Sequence, residues 1–211
     1  DANRDFFLIK IMGIKVAIQG IQGSFHHQVA HRYFGGAIGL DECVTFRDVA
    51  NSLKNNQSDK AIMAIENSIA GAILPNYALI DSYDLHIIGE HFLDIHMNLM
   101  VFPGQTIEEI QEVHSHPIAL LQRANFFSQY PHIKLVESSD TAIAAKRIQE
   151  NQLKGIGALG GPVAAEIYNL EIIANGIHTV KSNKTRFVVL KASNKEIPKD
   201  LINKASVKFE L

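Results

Sequence analysis

Short apolar runs recur along this chain, and each ends in polar or small residues that lead into a helix-like stretch. The run at 60–65 stops abruptly at Glu66, Asn67 and Ser68. The same change follows at 114–117, 137–141 and 160–162. Because ligands in open α/β sheets bind outside the carboxyl ends of the strands, the acid, amide and hydroxyl at 66–68 predict a site for a small polar molecule.

Strand-like runs alternate with helix-like stretches, which predicts an α/β fold with a largely parallel sheet or sheets. We predict helices at 25–34, 46–53, 74–82, 107–111, 117–130, 141–151 and 162–168. We predict strands at 14–19, 60–65, 85–92, 95–102, 112–113, 134–136, 155–159 and 185–190. The pattern repeats in the second half of the chain, so we expect two similar lobes with a cleft between them.

We expect lobe one to comprise residues 14–93 and 181–192, and lobe two to comprise residues 94–180. Residues 1–13 read as a tag or an upstream extension, since they lack the long apolar core of a signal peptide. The tail at 205–211 alternates like a strand but has no turn or partner after it, from which we infer that a further domain belongs to the longer protein.

Composition excludes several function classes. The net charge of −2 gives no footprint for nucleic acid. Apolar runs stay below the ~18 residues that a membrane span requires, so we expect no membrane partner. Cys43 is the only cysteine, which rules out an intrachain disulfide and fits a reducing, cytoplasmic location.

Several predicted helix starts could bind anions, because helix N-termini offer unpaired amide hydrogens and a partial positive charge. The candidates are Ser24, Ser115 or His116, Ser139 or Asp140, and Gly160-Gly161. Two or more of them aimed into one cleft would hold a doubly charged ligand without many Lys or Arg. The alternative is that each is an ordinary helix cap.

An ordered set of short motifs covers residues 14–190. It comprises Gly20-Ile21-Gln22-Gly23-Ser24-Phe25, Glu66-Asn67-Ser68, Ser115-His116-Pro117, Asp140-Thr141-Ala142 and Thr185-Arg186-Phe187. In this order the set resembles the catalytic region of prephenate dehydratases. The Thr-Arg-Phe tripeptide before an apolar strand and the Glu-Asn-Ser tripeptide after one are its most diagnostic members.

The resemblance implies two α/β lobes of the type II periplasmic-binding-protein kind, with the active site in the cleft between them. It implies a lyase that converts prephenate to phenylpyruvate, water and carbon dioxide in phenylalanine biosynthesis, without metal or other cofactor. It also implies a homodimer or higher oligomer. Residues 193–211 would be a linker and the start of a truncated C-terminal ACT domain, so phenylalanine would be an effector only of the full-length protein.

The resemblance also assigns site residues. The catalytic threonine falls on Thr185, and Glu66 is a rival proton donor. The substrate-binding candidates are Ser24, Asn67, Ser68, Ser115, Gln122, Thr141, Arg186 and Phe187. The chain departs from the family at Ile118, where many members have Gln, and at Ile21, where Pro is common.

These residue types suit the chemistry, because loss of carbon dioxide and hydroxide creates an aromatic ring and the enzyme must help a poor leaving group to depart. The Thr185 hydroxyl can donate a hydrogen bond where negative charge develops. Glu66 could donate a proton if a dry cleft raised its pKa, or it could instead hold backbone amides at a helix start. Neighbours on a strand point to opposite faces, so Arg186 should face away from Thr185 and Phe187 should return to its side.

Other readings of the sequence are weaker. His27 and His31 have a spacing that can suit zinc, but no carboxylate partner lies nearby in the sequence. His114 and His116 flank Ser115, which would allow a Ser-His hydrolase, but the Gly-x-Ser-x-Gly nucleophile elbow is missing. The serious alternative is a two-lobed module that binds or senses a small carboxylate without catalysis, since fold does not fix function.

Overall fold

The computed structural model describes residues 13–121, 124–138, 140–177 and 183–193, together with Lys204 and Val207. Its strands are β1 (Lys15–Gln19), β2 (Gly39–Cys43), β3 (Lys60–Asn67), β4 (Gly71–Ala72), β5 (His86–Asp94), β6 (Asn98–Val101), β7 (Glu112–Ser115), β8 (Lys134–Glu137), β9 (Ile156–Gly160), β10 (Glu171–Ala174) and β11 (Lys184–Lys191). Its helices are α1 (Phe25–Phe34), α2 (Phe46–Lys54), α3 (Leu74–Ser82), α4 (Pro117–Leu121), α5 (Ala124–Phe127), α6 (Thr141–Glu150) and α7 (Pro162–Ile167), with a 3₁₀ turn at Ile107–Glu109.

The strands form two sheets. The first has six strands in the order β2-β1-β3-β11-β5, with β4 paired to β3, and the second has five in the order β10-β6-β9-β7-β8. Strand β11 comes from the far end of the chain and yet lies between β3 and β5. The Thr-Arg-Phe tripeptide is thereby inserted into the middle of the first sheet.

The expectation of largely parallel sheets is only partly right. Strands β1, β2 and β3 are parallel, and so are β7, β8 and β9. Strand β11 is antiparallel to both of its neighbours, and β6 is antiparallel to β9 and β10. Strand β6 is the first strand of the second sheet along the chain, and β11 is the strand with which the chain returns to the first sheet.

Strand β11 is buried on both faces. Phe187 and Val189 pack in the apolar cluster that includes Val29 and Ala30 of α1. Val188 and Leu190 pack in the opposite cluster, which includes Val49 and Leu53 of α2. A strand covered on both faces reads as a continuous apolar run, which is why its position was readable in the sequence.

The sequence missed β2, β4 and β10, which are edge strands with mostly exposed or half-buried residues. The helices predicted at 25–34 and 74–82 are confirmed. Of the helix predicted at 117–130, the described residues are helical at Pro117–Leu121 and Ala124–Phe127, and the helix ends at Phe127, before the predicted end at 130. No helix among the described residues is long and apolar enough to cross a membrane.

Replacing Phe187 with alanine should destabilise the protein strongly. Its side chain is 1% exposed, and its ring lies edge-on to His26 with centroids 5.0 Å apart. Loss of a buried Phe side chain typically costs about 3–5 kcal/mol of the free energy of unfolding. Chemical denaturation should show this loss for Phe187→Ala and a smaller one for Phe187→Leu, and equal stability of parent and Phe187→Ala would contradict the packing.

Candidate active site

The ends of β3 and β11 bring Asn67 and Thr185 face to face. The Asn67 Nδ2 amide donates to Thr185 Oγ1 at 2.9 Å and to Asn183 Oδ1 at 2.6 Å. Its Oδ1 accepts from the backbone N–H groups of Ile69 and Ala70, both at 3.0 Å, so both ends of the amide are fixed. Because Thr185 Oγ1 accepts the bond from Asn67, its own hydroxyl hydrogen can be donated to another group.

Ser68 continues this contact with β11. Its backbone N–H donates to the Lys184 carbonyl at 2.9 Å, and its Oγ accepts from the Lys184 N–H at 2.9 Å. The hydroxyl of Ser68 therefore stabilises the pairing of the two strand ends. Its predicted contact with a substrate stays a prediction.

The opposite face of the same strands holds a group of charged side chains. The Tyr77 hydroxyl donates to Glu66 Oε1 at 2.5 Å. The Arg186 guanidinium lies 3.3 Å from both Glu66 oxygens and donates through Nε to Glu90 at 2.8 Å. Lys204 also pairs with Glu90. Arg186 thus links β3, β11 and β5 at the position next to Thr185.

This arrangement argues against two of the predicted roles. The Tyr77 hydrogen bond and the Arg186 guanidinium hold the pKa of Glu66 below its usual range, so Glu66 is ionised at neutral pH. Its side chain also pairs with Arg186 on the face away from Asn67 and Thr185. Glu66 is therefore poorly placed to donate a proton beside Thr185, and Arg186 is poorly placed to bind a substrate there.

Phe187 lies on the Thr185 side, as strand alternation required, but its side chain is buried in the core. This burial gives it a packing role beneath the site and does not favour direct contact with a ligand. Gln122 lies outside the described residues, so its predicted substrate contact stays a prediction.

The second sheet contributes the turn after β7. Ser115 is fully buried, and its Oγ donates to the Leu159 carbonyl at 3.3 Å. Four residues after Ser115, Ala119 of α4 packs in the cluster that contains Leu93 and Phe187. The Ser-His-Pro turn therefore approaches the Thr185 face of the first sheet, although no hydrogen bond between described residues joins Ser115 to Thr185.

Two helix starts proved to be ordinary caps. Ser24 is buried, and its Oγ accepts from the His27 N–H of α1 at 3.2 Å. The Asp140 carboxylate accepts from Ala142 and Ile143 of α6 at 2.7 and 3.4 Å. These side chains satisfy amides that a ligand would otherwise use, which weakens the prediction of anion sites at both helices. Substrate contacts of Ser24, and of the buried Thr141 beside Asp140, stay predictions.

The carboxyl of Asp140 differs electrostatically from that of Glu66. Burial raises the pKa of Asp140 above its ordinary value, although the bonds to Ala142 and Ile143 and the nearby His116 oppose the shift. Its Oδ2 faces Gly20, where a Cβ would come within 3.1 Å of that oxygen. Asp140 therefore belongs to the contact between the lobes, where its charge is costly.

The loop before α1 meets the second lobe. The Tyr168 hydroxyl donates to the Gln22 carbonyl at 2.6 Å. A Cβ at Gly161 would come within 3.0 Å of the Phe25 ring, so the start of α7 fits closely against α1. The turns at 20–25, 140 and 160–161, which the sequence singled out separately, are thus brought together.

The sequence missed Tyr77 and Asn183. Asn183 is two residues before Thr185, and residues two apart on a strand share a face, so its place beside Asn67 could have been found. Tyr77 lies on α3 and is brought to Glu66 only by tertiary packing, for which the sequence carries no signal.

The pair His27 and His31 makes a ring contact with centroids 4.5 Å apart. His27 Nδ1 accepts from the Gly23 N–H at 3.2 Å, and burial, with His31 nearby, lowers the pKa of His27 to about 4. Over the described ranges, no group of three or more His, Cys, Asp or Glu side chains could hold a metal ion. A zinc role for this pair therefore has no structural support.

Together, the fold and the site define a two-lobed α/β protein. Its candidate site residues lie at the ends of β3 and β11 and in the turns that face them from the second lobe. A family model described as prephenate dehydratase matches residues 16–195. The chain belongs to the prephenate dehydratase family.

Curated relatives agree with this membership. The chain is 32% identical over 196 residues to a bifunctional chorismate mutase/prephenate dehydratase of Buchnera aphidicola, covering 91% of this chain and 51% of the relative. It is 36% identical over 199 residues to arogenate dehydratase 2 of Petunia hybrida, covering 94% of this chain and 50% of the relative. The chain thus spans about half the length of these relatives.

Solved structures agree on the fold. A structure described as GqqA, a novel type of quorum quenching acylase, has a TM-score of 0.77 at 28% identity and covers 87% of this chain and 66% of its own. Prephenate dehydratase from Arthrobacter aurescens in complex with L-Phe has a TM-score of 0.76 at 24% identity, covering 84% of this chain and 60% of its own. The predicted α/β fold class is confirmed, with two sheets and the fold of the prephenate dehydratase structures.

The pH dependence of stability tests the ionised state of Glu66. Because its folded pKa is depressed, its contribution to stability is present above the ordinary glutamate pKa of about 4.3 and is lost as pH falls through the folded pKa. Glu66→Gln should therefore destabilise the protein most at neutral pH and least in acid, as measured by denaturation at several pH values. In a Tyr77→Phe background this pH dependence should shrink, and a loss that is constant with pH would contradict the pairing.

Proposed function

We propose that this chain is the catalytic region of a prephenate dehydratase, which converts prephenate to phenylpyruvate, water and carbon dioxide. The observation that carries the proposal is the Thr185 hydroxyl, which is oriented by the Asn67 amide on the face toward the second lobe. Membership of the family supports the same reaction.

Thr185 is proposed to act on the leaving group. In prephenate the ring hydroxyl departs as the ring carboxylate leaves as carbon dioxide, and the electrons of the broken carbon–carbon bond complete the aromatic ring. The departing oxygen gains negative charge and leaves as water once it is protonated. A hydroxyl donor held in place beside this oxygen stabilises that charge without having to reorganise.

The surroundings of Thr185 suit such a donor. Its side chain is 8% exposed, so its hydrogen bonds compete little with water. The Asn67 amide donates to Oγ1 and thereby leaves the hydroxyl hydrogen as the group to be offered. Glu66 is not proposed as the acid, because its environment keeps it ionised and on the other face.

The substrate's two carboxylates are proposed to bind between the lobes. The polar candidates near this region are Ser24, Ser68, Ser115, Gln122 and Thr141. Several of these hydroxyls already form a hydrogen bond to a backbone group. A hydroxyl can both donate and accept, so each would bind a carboxylate only through the donor or acceptor site that is still unused. Relatives include both prephenate and arogenate dehydratases, and we propose prephenate as the substrate.

We propose the lobe boundaries given above, residues 14–93 with 181–192 and residues 94–180. We also propose an oligomeric, cytoplasmic protein that needs no cofactor, although plant relatives are described as chloroplastic. The neighbour bound to L-Phe supports phenylalanine as an effector of the full-length protein. The ACT segment expected at 193–211 lies outside the described residues, apart from Ser193, Lys204 and Val207.

Loss of the Thr185 hydroxyl should abolish most of the activity. A positioned acid typically contributes about 10²–10⁴ in rate, so Thr185→Ala should lose activity in that range and Thr185→Ser should retain part of it. Phenylpyruvate formation from prephenate measures the effect. Thr45→Ala is the matched control, because Thr45 caps α2 away from the site and its loss should lower stability without reducing kcat.

The phenylpyruvate assay on the parent protein distinguishes an enzyme from a binding module. Prephenate that binds without forming phenylpyruvate would favour a binding module and overturn the proposal. The acylase description of one structural neighbour makes this direct assay necessary, because a shared fold serves different activities. A full-rate Thr185→Ala variant would remove Thr185 from the mechanism.

The pH–rate profile of Glu66→Gln tests whether Glu66 titrates in catalysis. Because Tyr77 and Arg186 lower the pKa of Glu66, we expect Glu66→Gln to keep the parent's acid limb when kcat/KM is measured between about pH 5 and 8. Loss of that limb in Glu66→Gln would instead identify Glu66 as the proton donor. Tyr77→Phe provides a second variant that perturbs the same carboxylate without removing it.

A further inference from the structure

Strand β3 has a gap in its pairing just before the site. Its edge pairs with β1 as far as Ile62 and with β4 from Glu66 onward. Between these points, the described strands leave this edge of β3 without a strand partner. Backbone groups there need other hydrogen-bond partners, since an unpaired buried backbone group is costly.

Two buried side chains fill this gap at Ala64. The Ala64 N–H donates to His26 Nε2 at 3.3 Å, and the Asn76 Nδ2 amide donates to the Ala64 carbonyl at 2.7 Å. His26 is 9% and Asn76 2% exposed. Side chains from α1 and α3 thus replace a neighbouring strand at a single residue of β3.

His26 is suited to this task because it stays neutral. Burial lowers its pKa to about 3, so Nε2 remains a hydrogen-bond acceptor throughout the neutral range. Its ring lies edge-on to Phe187 at 5.0 Å and is tilted against Phe46 at 5.4 Å. His26 therefore contacts both strands that carry the site, through Ala64 on β3 and Phe187 on β11.

The register between these strands shifts at the same place. Phe187 is opposite Ala64, whereas Arg186 is opposite Glu66, so Ile65 is an extra residue on β3. Bulges of this kind redirect the residues that follow them. The direction in which Asn67 leaves the bulge decides whether its amide reaches Thr185.

We propose that His26 and Asn76 are positioning residues, which fix Ala64 next to the bulge at Ile65 and thereby hold Asn67 against Thr185. They act through the backbone of β3 and touch neither substrate nor reacting atoms. The effect on turnover rests on the proposed function, whereas the effect on the Asn67 amide does not.

The kinetic test compares variants at three buried positions. His26→Leu and Asn76→Leu should lower kcat roughly 10–100-fold with KM within roughly threefold, because small misplacements of a catalytic group cost rate. His26→Gln, whose Oε1 can accept from the Ala64 N–H, should recover most of this loss. Ser52→Ala is the control, since Ser52 is 2% exposed and bonds Asp41 and Ser58 away from the site.

A second readout is independent of activity. Nuclear magnetic resonance of the Asn67 side-chain amide reports its bonds to Thr185 and Asn183. We expect this signal to shift, and its hydrogen exchange to accelerate, in His26→Leu and Asn76→Leu but not in His26→Gln or Ser52→Ala.

The outcomes separate the two proposals. An unchanged Asn67 amide in both leucine variants would overturn the positioning role, whatever the activity. A kcat loss no larger than that of Ser52→Ala would overturn it as well. A parent protein that forms no phenylpyruvate, with the amide still displaced in the leucine variants, would overturn the proposed function and leave the positioning role supported.

Discussion

The cross-strand pairing of β3 with β11 is the constraint on which the site depends. It places Thr185 opposite Asn67 on one face and Arg186 opposite Glu66 on the other. Because β11 comes from the far end of the chain, neither half of the protein can form this pairing alone. Folding of the first lobe is thus tied to the passage of the chain through the second lobe, and the site exists only when both are in place.

The two faces of this pairing have separate tasks. On one face, neutral hydrogen bonds orient the Thr185 hydroxyl. On the other, Arg186 joins Glu66 of β3 and Glu90 of β5 across β11. Charges on the Arg186 face join the strands without bringing a carboxylate beside Thr185. An ionised Glu66 next to Thr185 would oppose the negative charge that develops in the proposed reaction, so its placement on the far face is compatible with that proposal.

The sequence predicted the elements whose signal is local, and it failed where the signal is tertiary. Apolar β11 and the helices at 25–34 and 74–82 were readable, since an apolar run marks the strand, and Ser24 and Pro75 mark the two helix starts. The edge strands β2 and β10 were missed because edge positions tolerate polar residues. Alternation along β11 correctly indicated that Arg186 faces away from Thr185. The contacts of Glu66 with Tyr77 and Arg186 have no local signal, because these two residues come from distant parts of the chain.

The polar residues singled out by their motifs are largely used by the protein itself. Asn67 binds Thr185, Asn183 and two backbone amides, Ser68 closes the strand ends, and Ser24 and Asp140 cap their own helices. A ligand therefore meets a site in which few side chains are without protein partners and most are already fixed in direction. Because the site side chains are already oriented, less conformational entropy is lost when a ligand binds. The fold thus controls the orientation of the polar groups more than the number of contacts that they make. By this argument, the proposed positioning residues His26 and Asn76 would affect the proposed reaction without touching a ligand, through Ala64 and the position of Asn67.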